Sequence, residues 1–482
     1  MAESLIPPLP GNVEEVERRK EARRRRRLME GGWRQDAVER ITEFFQAETA
    51  NRLGHVDLTR NLHRQIAREL SVRYQSPPTR LHEDDAASDS MGEIVSESSL
   101  WAVASRNERF VVGLNSCFLR TDWTAPGTPD EGLMHTVVTP DLVFAEADPE
   151  RPRVPVYAMH ARRRTLPGKD EAEWFFDEFD VREAVPTFRI LKPADAGKRS
   201  EDVTALFVTG DLSGPGYHWT VEGRPVVPLV LYQSDPGFAG MHDWREGCEI
   251  VDATLIGSAL RSMWAYSVRD AAHPVRALAD GEFVSGGTNT GSGSQTATSM
   301  LSDPTVMHMV RSLNQGAAHA LEWGPAVDPE RLQLAIDAYE QGAAQAAGLS
   351  PDDFVRSGGA ESGYAIALKS EAKRREQRRM GPAFERADSR TLALCASLLN
   401  RYRSAGLPED GWSPQYHDLG LTPAEREASR LDVAARLEAG TASLVDAVMA
   451  EHPQMTRDEA TAFLERVQLE RSRFRLPSTP MV

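Results

Sequence analysis

The residues able to do chemistry are present in number, but their spacing rarely suits a reaction. Gly286 and Gly291 have the glycine interval of a phosphate-cradling loop, yet no Lys follows Gly291, so nothing would reach a phosphate as in a P-loop. A Gly-x-Ser-x-Gly elbow, a His-Glu-x-x-His helix and a Cys-x-x-Cys pair are all missing from the sequence. Cys117, Cys248 and Cys395 stand far apart, which reads as reduced, mostly buried thiols. The twelve histidines are scattered and read as core or surface residues. His82-Glu83-Asp84-Asp85 opens an acidic, Ser-rich stretch to residue 99, which reads as a solvated loop rather than a metal site. Trp174-Phe-Phe-Asp-Glu-Phe-Asp180 could supply carboxylates, but an interface or hairpin-edge role suits it better. The expectation is a chain with no catalytic, cofactor-binding or metal-binding residues, hence not an enzyme.

Two basic runs stand out. Arg23, Arg24, Arg25, Arg26 and Arg27 follow Arg18, Arg19 and Lys20, with Glu14–Arg18 and Glu15–Arg19 at helical i,i+4 spacing. Such a run is either an arm that touches phosphate or an acidic partner, or a solvated helix end. Lys373, Arg374, Arg375, Arg378 and Arg379 place bases on one side of a second helix, ready for a neighbour's acids or for DNA, or simply solvated. The formal net charge of −16 argues against broad coating of nucleic acid.

The elements that must position these residues follow from periodicity. With 482 residues and 40% hydrophobic content, two to four domains with a real core are expected. The first twelve residues lack the apolar stretch of a signal, and no run of 18 apolar residues occurs, so a soluble, intracellularly made protein is expected. Val38, Ile41 and Phe45 mark a helix after Asp36. Leu58, Leu62, Ile66, Leu70 and Tyr74 form an i+4 stripe. From Phe110 to Leu231 short apolar runs bounded by Gly, Pro and Asp read as strands: Phe110-Val-Val-Gly, Cys117-Phe-Leu-Arg, a pair around Pro140-Asp141, Thr187–Leu191, Thr204–Val208 and Tyr217–Val221. Glu222-Gly223 makes a tight turn into Val226–Tyr232. Helix returns over Glu249–Tyr266, then over a segment capped by Asp328 and closed by Gly348. Residues 285–299 are a Gly/Ser/Thr loop. Thr422-Pro423 and Thr456-Arg-Asp-Glu459 open two late helices, the last burying Phe463, Val467 and Leu469.

The longest pattern runs from Glu361 to Arg403, on the order of 60 Å of helix at ~1.5 Å per residue. Gly381-Pro382 should break or kink it, since Pro removes a hydrogen bond and clashes with the preceding turn. A Gly/Ser/Asp-rich hinge, Gly348 to Gly359, leads into it. This stretch, Gly348-Leu-Ser-Pro-Asp-Asp-Phe through Glu361-Ser-Gly-Tyr-Ala-Ile-Ala-Leu to Asn400, resembles the tailed-bacteriophage portal proteins, siphophage-like head-to-tail connectors. The resemblance covers residues 35–475 by element order and is specific only at 349–402.

What the resemblance implies is an α+β portal fold with wing, clip, stem and α-helical crown, assembled as a ring. The implied divisions are a basic arm (1–34), the N-terminal part of the wing (35–148), a β-rich clip (149–240), a stem helix (241–275), a connecting wing segment (276–348), a tunnel loop (349–362), the kinked wing helix (363–403) and the crown (404–482). A first stem helix before the clip has only Glu171–Glu183 as a candidate. The tunnel loop would place Ser350, Asp352, Arg356, Ser357, Gly358, Gly359 and Ser362 against DNA, although Ser285–Ser299 is an alternative. The implied partners are further copies of the chain in a closed ring, twelvefold as in the family, the major capsid protein, the terminase large subunit, the head-tail adaptor and double-stranded DNA in the channel, without cofactor or membrane. The implied location is the virion, at a capsid vertex. Two rivals remain: a non-catalytic scaffold gripping nucleic acid through Arg18–Arg27, and an enzyme whose acids converge near Trp174 or His242.

Overall fold

The computed structural model describes residues 9–44, 56–124, 131–165, 171–193, 200–208, 212–237, 240–242, 244–245, 247–272, 275–279, 307–310, 319–323, 328–349, 363–416, 423–451 and 457–473. The architecture is α+β. The chain divides into two compact units: Met1–Phe354 with Arg375–His417, and Val355–Arg374 with Asp418–Val482.

The first unit opens with α1 (Val13–Glu30), capped by Asn12, whose side chain accepts from the Glu15 amide at 2.9 Å, and closed by Gly31 at φ 97°. Next come α2 (Arg34–Phe44), α3 (Leu62–Leu70) and the short strand β1 (Arg80–His82). Helix α4 (Asp85–Glu97) occupies the stretch expected to be a solvated loop. Asp84 caps it by accepting from the Ala86 amide, and Ala87, Met91 and Val95 fall at i+4 steps onto the core. Helix α5 (Leu100–Leu114) takes Phe110–Gly113 out of the expected β region. Its buried residues at 100, 104, 107, 108, 111 and 114 follow the helical period, which a four-residue apolar window does not reveal.

Strands then dominate. β2 (Ser116–Thr124) lies between β3 (Gly132–Val138) and a later strand, Leu229–Gln233, in an antiparallel sheet. β4 (Val143–Asp148), β5 (Arg151–Thr165), β6 (Ala172–Asp180), β7 (Thr187–Lys192) and β8 (Glu201–Asp202) form a five-stranded antiparallel meander in chain order. The Pro140-Asp141 turn is therefore a passage between two sheets, not the tip of a hairpin. Residues 171–183, the candidate stem helix, instead contribute β6, a central strand rather than an edge. Both of its faces are covered: Phe175 and Phe179 join the main core, while Phe176 packs with Leu9, Tyr157, Met159 and Ala161. Thr204–Leu206 is a 3₁₀ turn, and of 217–221 only β9 (Thr220–Val221) is strand, paired with β10 (Arg224–Pro225). Glu222 (φ 50°) and Gly223 (φ 71°) make the turn between them, both positive as a tight hairpin requires. The strand Leu229–Gln233 is β11.

Helix α6 (Cys248–Ala272) outruns its expected end and packs against α7 (Pro329–Ala346), which Asp328 caps and Gly348 (φ 77°) follows. Between them β12 (Val275–Ala279) pairs with β13 (Met307–Val310) in parallel and with β14 (His319–Trp323) antiparallel. Helix α8 (Gly363–Arg403) is the longest element. From Met380 to Leu399 its inner face is core: Phe384, Leu392, Leu394, Cys395, Ala396, Leu398 and Leu399 are all buried. β15 (Trp412–Gln415) returns to pair with β1.

The second unit takes α8 through Arg374 and adds α9 (Pro423–Glu438), α10 (Leu444–Glu451) and α11 (Arg457–Arg473). Gly440 at φ 68° follows α9, and Ser443 and Asp446 cap α10 reciprocally. Ala460 is the buried anchor of α11, and Leu469 is exposed rather than buried as expected. Phe45 and Thr456 lie outside the described residues.

Candidate functional site

Three charged constellations in the first unit bear on the expected site residues. The deepest joins the two main sheets. Arg120 on β2 bonds Asp177 on β6, and Arg162 and Arg164 on β5 reach the same carboxylate. Asp122 accepts from Arg120 at 2.7 Å and from the Trp219 indole at 3.1 Å. Asp177 is wholly buried, and its ionisation would be penalised by that burial were it not for the three guanidinia, which hold its carboxyl well below the usual range. Burial, then Arg120, keeps His160 neutral far below its ordinary pKa, so its Nδ1 accepts from Arg120 at 3.4 Å. The acidic aromatic stretch is thus a load of paired charge between sheets, which fixes their mutual orientation.

The second constellation lies where α8 meets the strands. Asp388 accepts from the hydroxyls of Tyr74 and Tyr232, each at 2.8 Å, and from that of Tyr416. Burial raises the Asp388 carboxyl to about 6, and the three hydroxyl donors pull it back down only in part. One turn earlier, Arg73 stacks over the Tyr416 ring at 4.0 Å and donates to Glu385 at 2.7 Å. Gly381 makes room for it: a Cβ there would stand 3.1 Å from Arg73 Nη1. The helix assignment runs continuously through Pro382, with Met380, Ala383 and Phe384 around it buried. Arg386 Nε donates to the Pro382 carbonyl at 3.0 Å.

The third constellation corrects the reading of residues 1–34 as an arm. Arg18 donates to the carbonyls of Pro140 (3.0 Å) and Val143 (3.1 Å), and Arg25 to that of Trp244 (2.9 Å). Arg24 pairs with Glu21 and Asp252, Arg26 with Asp141, and Arg27 with Asp36. Arg18, Arg19 and Arg25 are buried. Sequence shows a string of cations; only the fold shows that several of their acceptors are carbonyls and carboxylates over a hundred residues away.

The other expected site residues divide by position. Lys373, Arg374, Arg375, Arg378 and Arg379 lie on α8, with Arg375, Arg378 and Arg379 exposed; Arg379 pairs with Asp235 and with Glu376. Ser350, Asp352, Arg356, Ser357, Gly358, Gly359 and Ser362, like the alternative loop 285–299, lie outside the described residues. His242 is half-buried, with Ser116 Oγ 3.1 Å from its Nδ1, and loss of water holds its pKa well below the ordinary value. Among the described residues no group of His, Cys, Asp or Glu is arranged to hold a metal ion, and no helix is long and apolar enough to cross a membrane. Tyr74, Tyr232 and Tyr416 were not foreseen at all; their separation in sequence hides their common partner.

No family model matches the chain, and no curated protein matches it. Among solved structures it is similar to the neck of an empty GTA particle computed with C6 symmetry, at 15% identity and a TM-score of 0.39, over 85% of this chain and 92% of that one. It is also similar to the neck of a native GTA particle computed with C12 symmetry, at 14% identity and a TM-score of 0.42, over 86% and 92%. Likeness at that level does not establish a shared fold.

Proposed function

We propose that the chain is a portal-type subunit: one copy in a closed ring that conducts double-stranded DNA through a particle vertex, docks the packaging motor and then the tail adaptor, and performs no catalysis itself. The observation that carries the reading is α8. A continuous helix of 41 residues begins directly after the segment that resembles a tunnel loop and ends as a core element of the first unit. A helix anchored at one end in a core and fed at the other by a Gly-rich segment is suited to holding that segment at a channel. Ring closure needs two different complementary faces on each copy, and a heterologous contact of that kind closes when the rotation allows. The scaffold rival loses its grip residues, since Arg18 and Arg24–Arg27 are engaged within the unit.

Negative-stain microscopy of the purified chain tests the proposal. The expected result is a ring with a central hole of DNA-duplex width. A compact monomer at every protein and salt concentration would overturn it.

A further inference from the structure

The first unit has a basic recess that none of the constellations above uses. Arg386 and Arg390 stand one turn apart on the exposed side of α8, beside the start of β5. Together with Arg151, Arg153 and Gly237 they line a cavity of about 420 Å³, and among the described residues none of its lining is acidic. Three of the four guanidinia are oriented by backbone carbonyls: Arg386 by Pro382 (3.0 Å), Arg390 by Arg153 (3.3 Å) and Arg153 by Pro236. A carbonyl orients a guanidinium without cancelling its charge. Arg151 shares the Asp148 carboxylate at 2.6 Å, outside the cavity lining.

The crowding has an electrostatic signature. Loss of water, then the charges of Arg386, Arg151 and Arg153, lowers the Arg390 pKa from its ordinary value, and loss of water, then Arg386, does the same to Arg153. Like charges held this close cost stability unless an anion joins them. Four guanidinia around one recess, that of Arg151 already on Asp148, suit a group with more oxygens and more charge than one carboxylate, and guanidinium geometry matches phosphate bidentately.

We propose that this recess binds a phosphate oxyanion, supplied either by the backbone of duplex DNA or by free phosphate. The proposal stands without the ring reading, because the site is complete within one copy.

The test uses the full chain and the variant Arg386→Ala/Arg390→Ala, whose lost bonds go to carbonyls at the surface. Tripolyphosphate and inorganic phosphate are titrated calorimetrically, and a short labelled DNA duplex is followed by anisotropy between about 50 and about 200 mM salt. The expected result is at least tenfold weaker binding by the variant and, for the duplex, a salt slope smaller by about two, one for each lost contact. Arg386→Lys/Arg390→Lys should keep the slope and lose part of the affinity, since the charge stays and the fork goes. Binding of the duplex alone assigns the phosphate to DNA; binding of the small anions through the same residues assigns it to free phosphate. If the alanine pair does not fold, Arg386→Gln alone carries the same comparison. The proposal is overturned if the unaltered chain binds none of the probes, if the variant binds them equally well, or if the substitutions change only self-association, which would give the recess to carboxylates of a second copy.

Discussion

At the scale of single residues, the fold's polar core depends on a few carboxylates that each serve several partners. Asp388→Ala would leave the buried Tyr74 hydroxyl and the half-buried Tyr416 hydroxyl without their acceptor, at about 1–3 kcal/mol each, and Tyr232 with Thr391 alone. Chemical denaturation should show a loss of at least ~3 kcal/mol; a loss below ~1 kcal/mol would mean that the hydroxyls find other partners. Asp177→Asn should be comparably severe, about 3–5 kcal/mol, because Arg162 and Arg164 lose a buried countercharge and Arg120 keeps only Asp122. The pH dependence has opposing parts. Asp388 (about 6) and Glu108 (about 7) are raised by burial, so they favour the folded state more as pH falls from 7 to 5. His63 (about 3), His135 (about 4), His160 and His242 are lowered by burial, so the unfolded chain takes up their protons below about 6.5 and stability falls with pH. At pH 5 each histidine held neutral costs at most about 2 kcal/mol, and the four outnumber the raised carboxyls of Asp388, Glu108 and Glu340. The denaturation midpoint should therefore drop between pH 7 and pH 5. A constant or rising midpoint would show that the carboxyls prevail.

At the scale of elements, α8 separates what a local pattern can reveal from what packing imposes. Its length was legible, because apolar and charged residues keep a helical period from Tyr364 to Tyr402. Which part of it is core was not, because burial is set by residues of other elements. Pro382 is exposed. Pro382→Ala restores an amide donor to the preceding turn without creating a cavity, and should stabilise the chain by about 1–3 kcal/mol. If ring assembly falls while the melting temperature rises, the proline serves assembly; if neither moves, it serves nothing that the helix needs. Gly381→Ala should act in the opposite sense, since its methyl would push Arg73 away from Tyr416 and Glu385. Helices α4 and α5 escaped sequence reading for a related reason. Their apolar faces are short and interrupted by Ser, Asp and Asn, and the burial of Ser88, Asn107 and Glu108 becomes intelligible only against their tertiary neighbours.

At the scale of the whole molecule, α1 changes from an appendage to a structural member. Its arginines reach the turn before β4 and the segment before α6, and Leu28 packs with Trp33, Ile41, Val251 and Leu255. Deleting residues 1–30 should therefore give an unstable or insoluble chain, seen as a lost cooperative melt. A deletion that melts like the full chain and loses only DNA binding would restore the arm. What the sequence determined by itself was periodicity: the amphipathic helices, the tight turn at Glu222-Gly223, the cap at Asp328, and the length of α8, all set by residues within a few positions of one another. What only the tertiary structure decided was the fate of charge. Whether a run of arginines grips a partner, pairs in a core or crowds around a recess depends on acceptors distant in the chain, because electrostatic energy is governed by burial and by distance in space, and neither is written in local order.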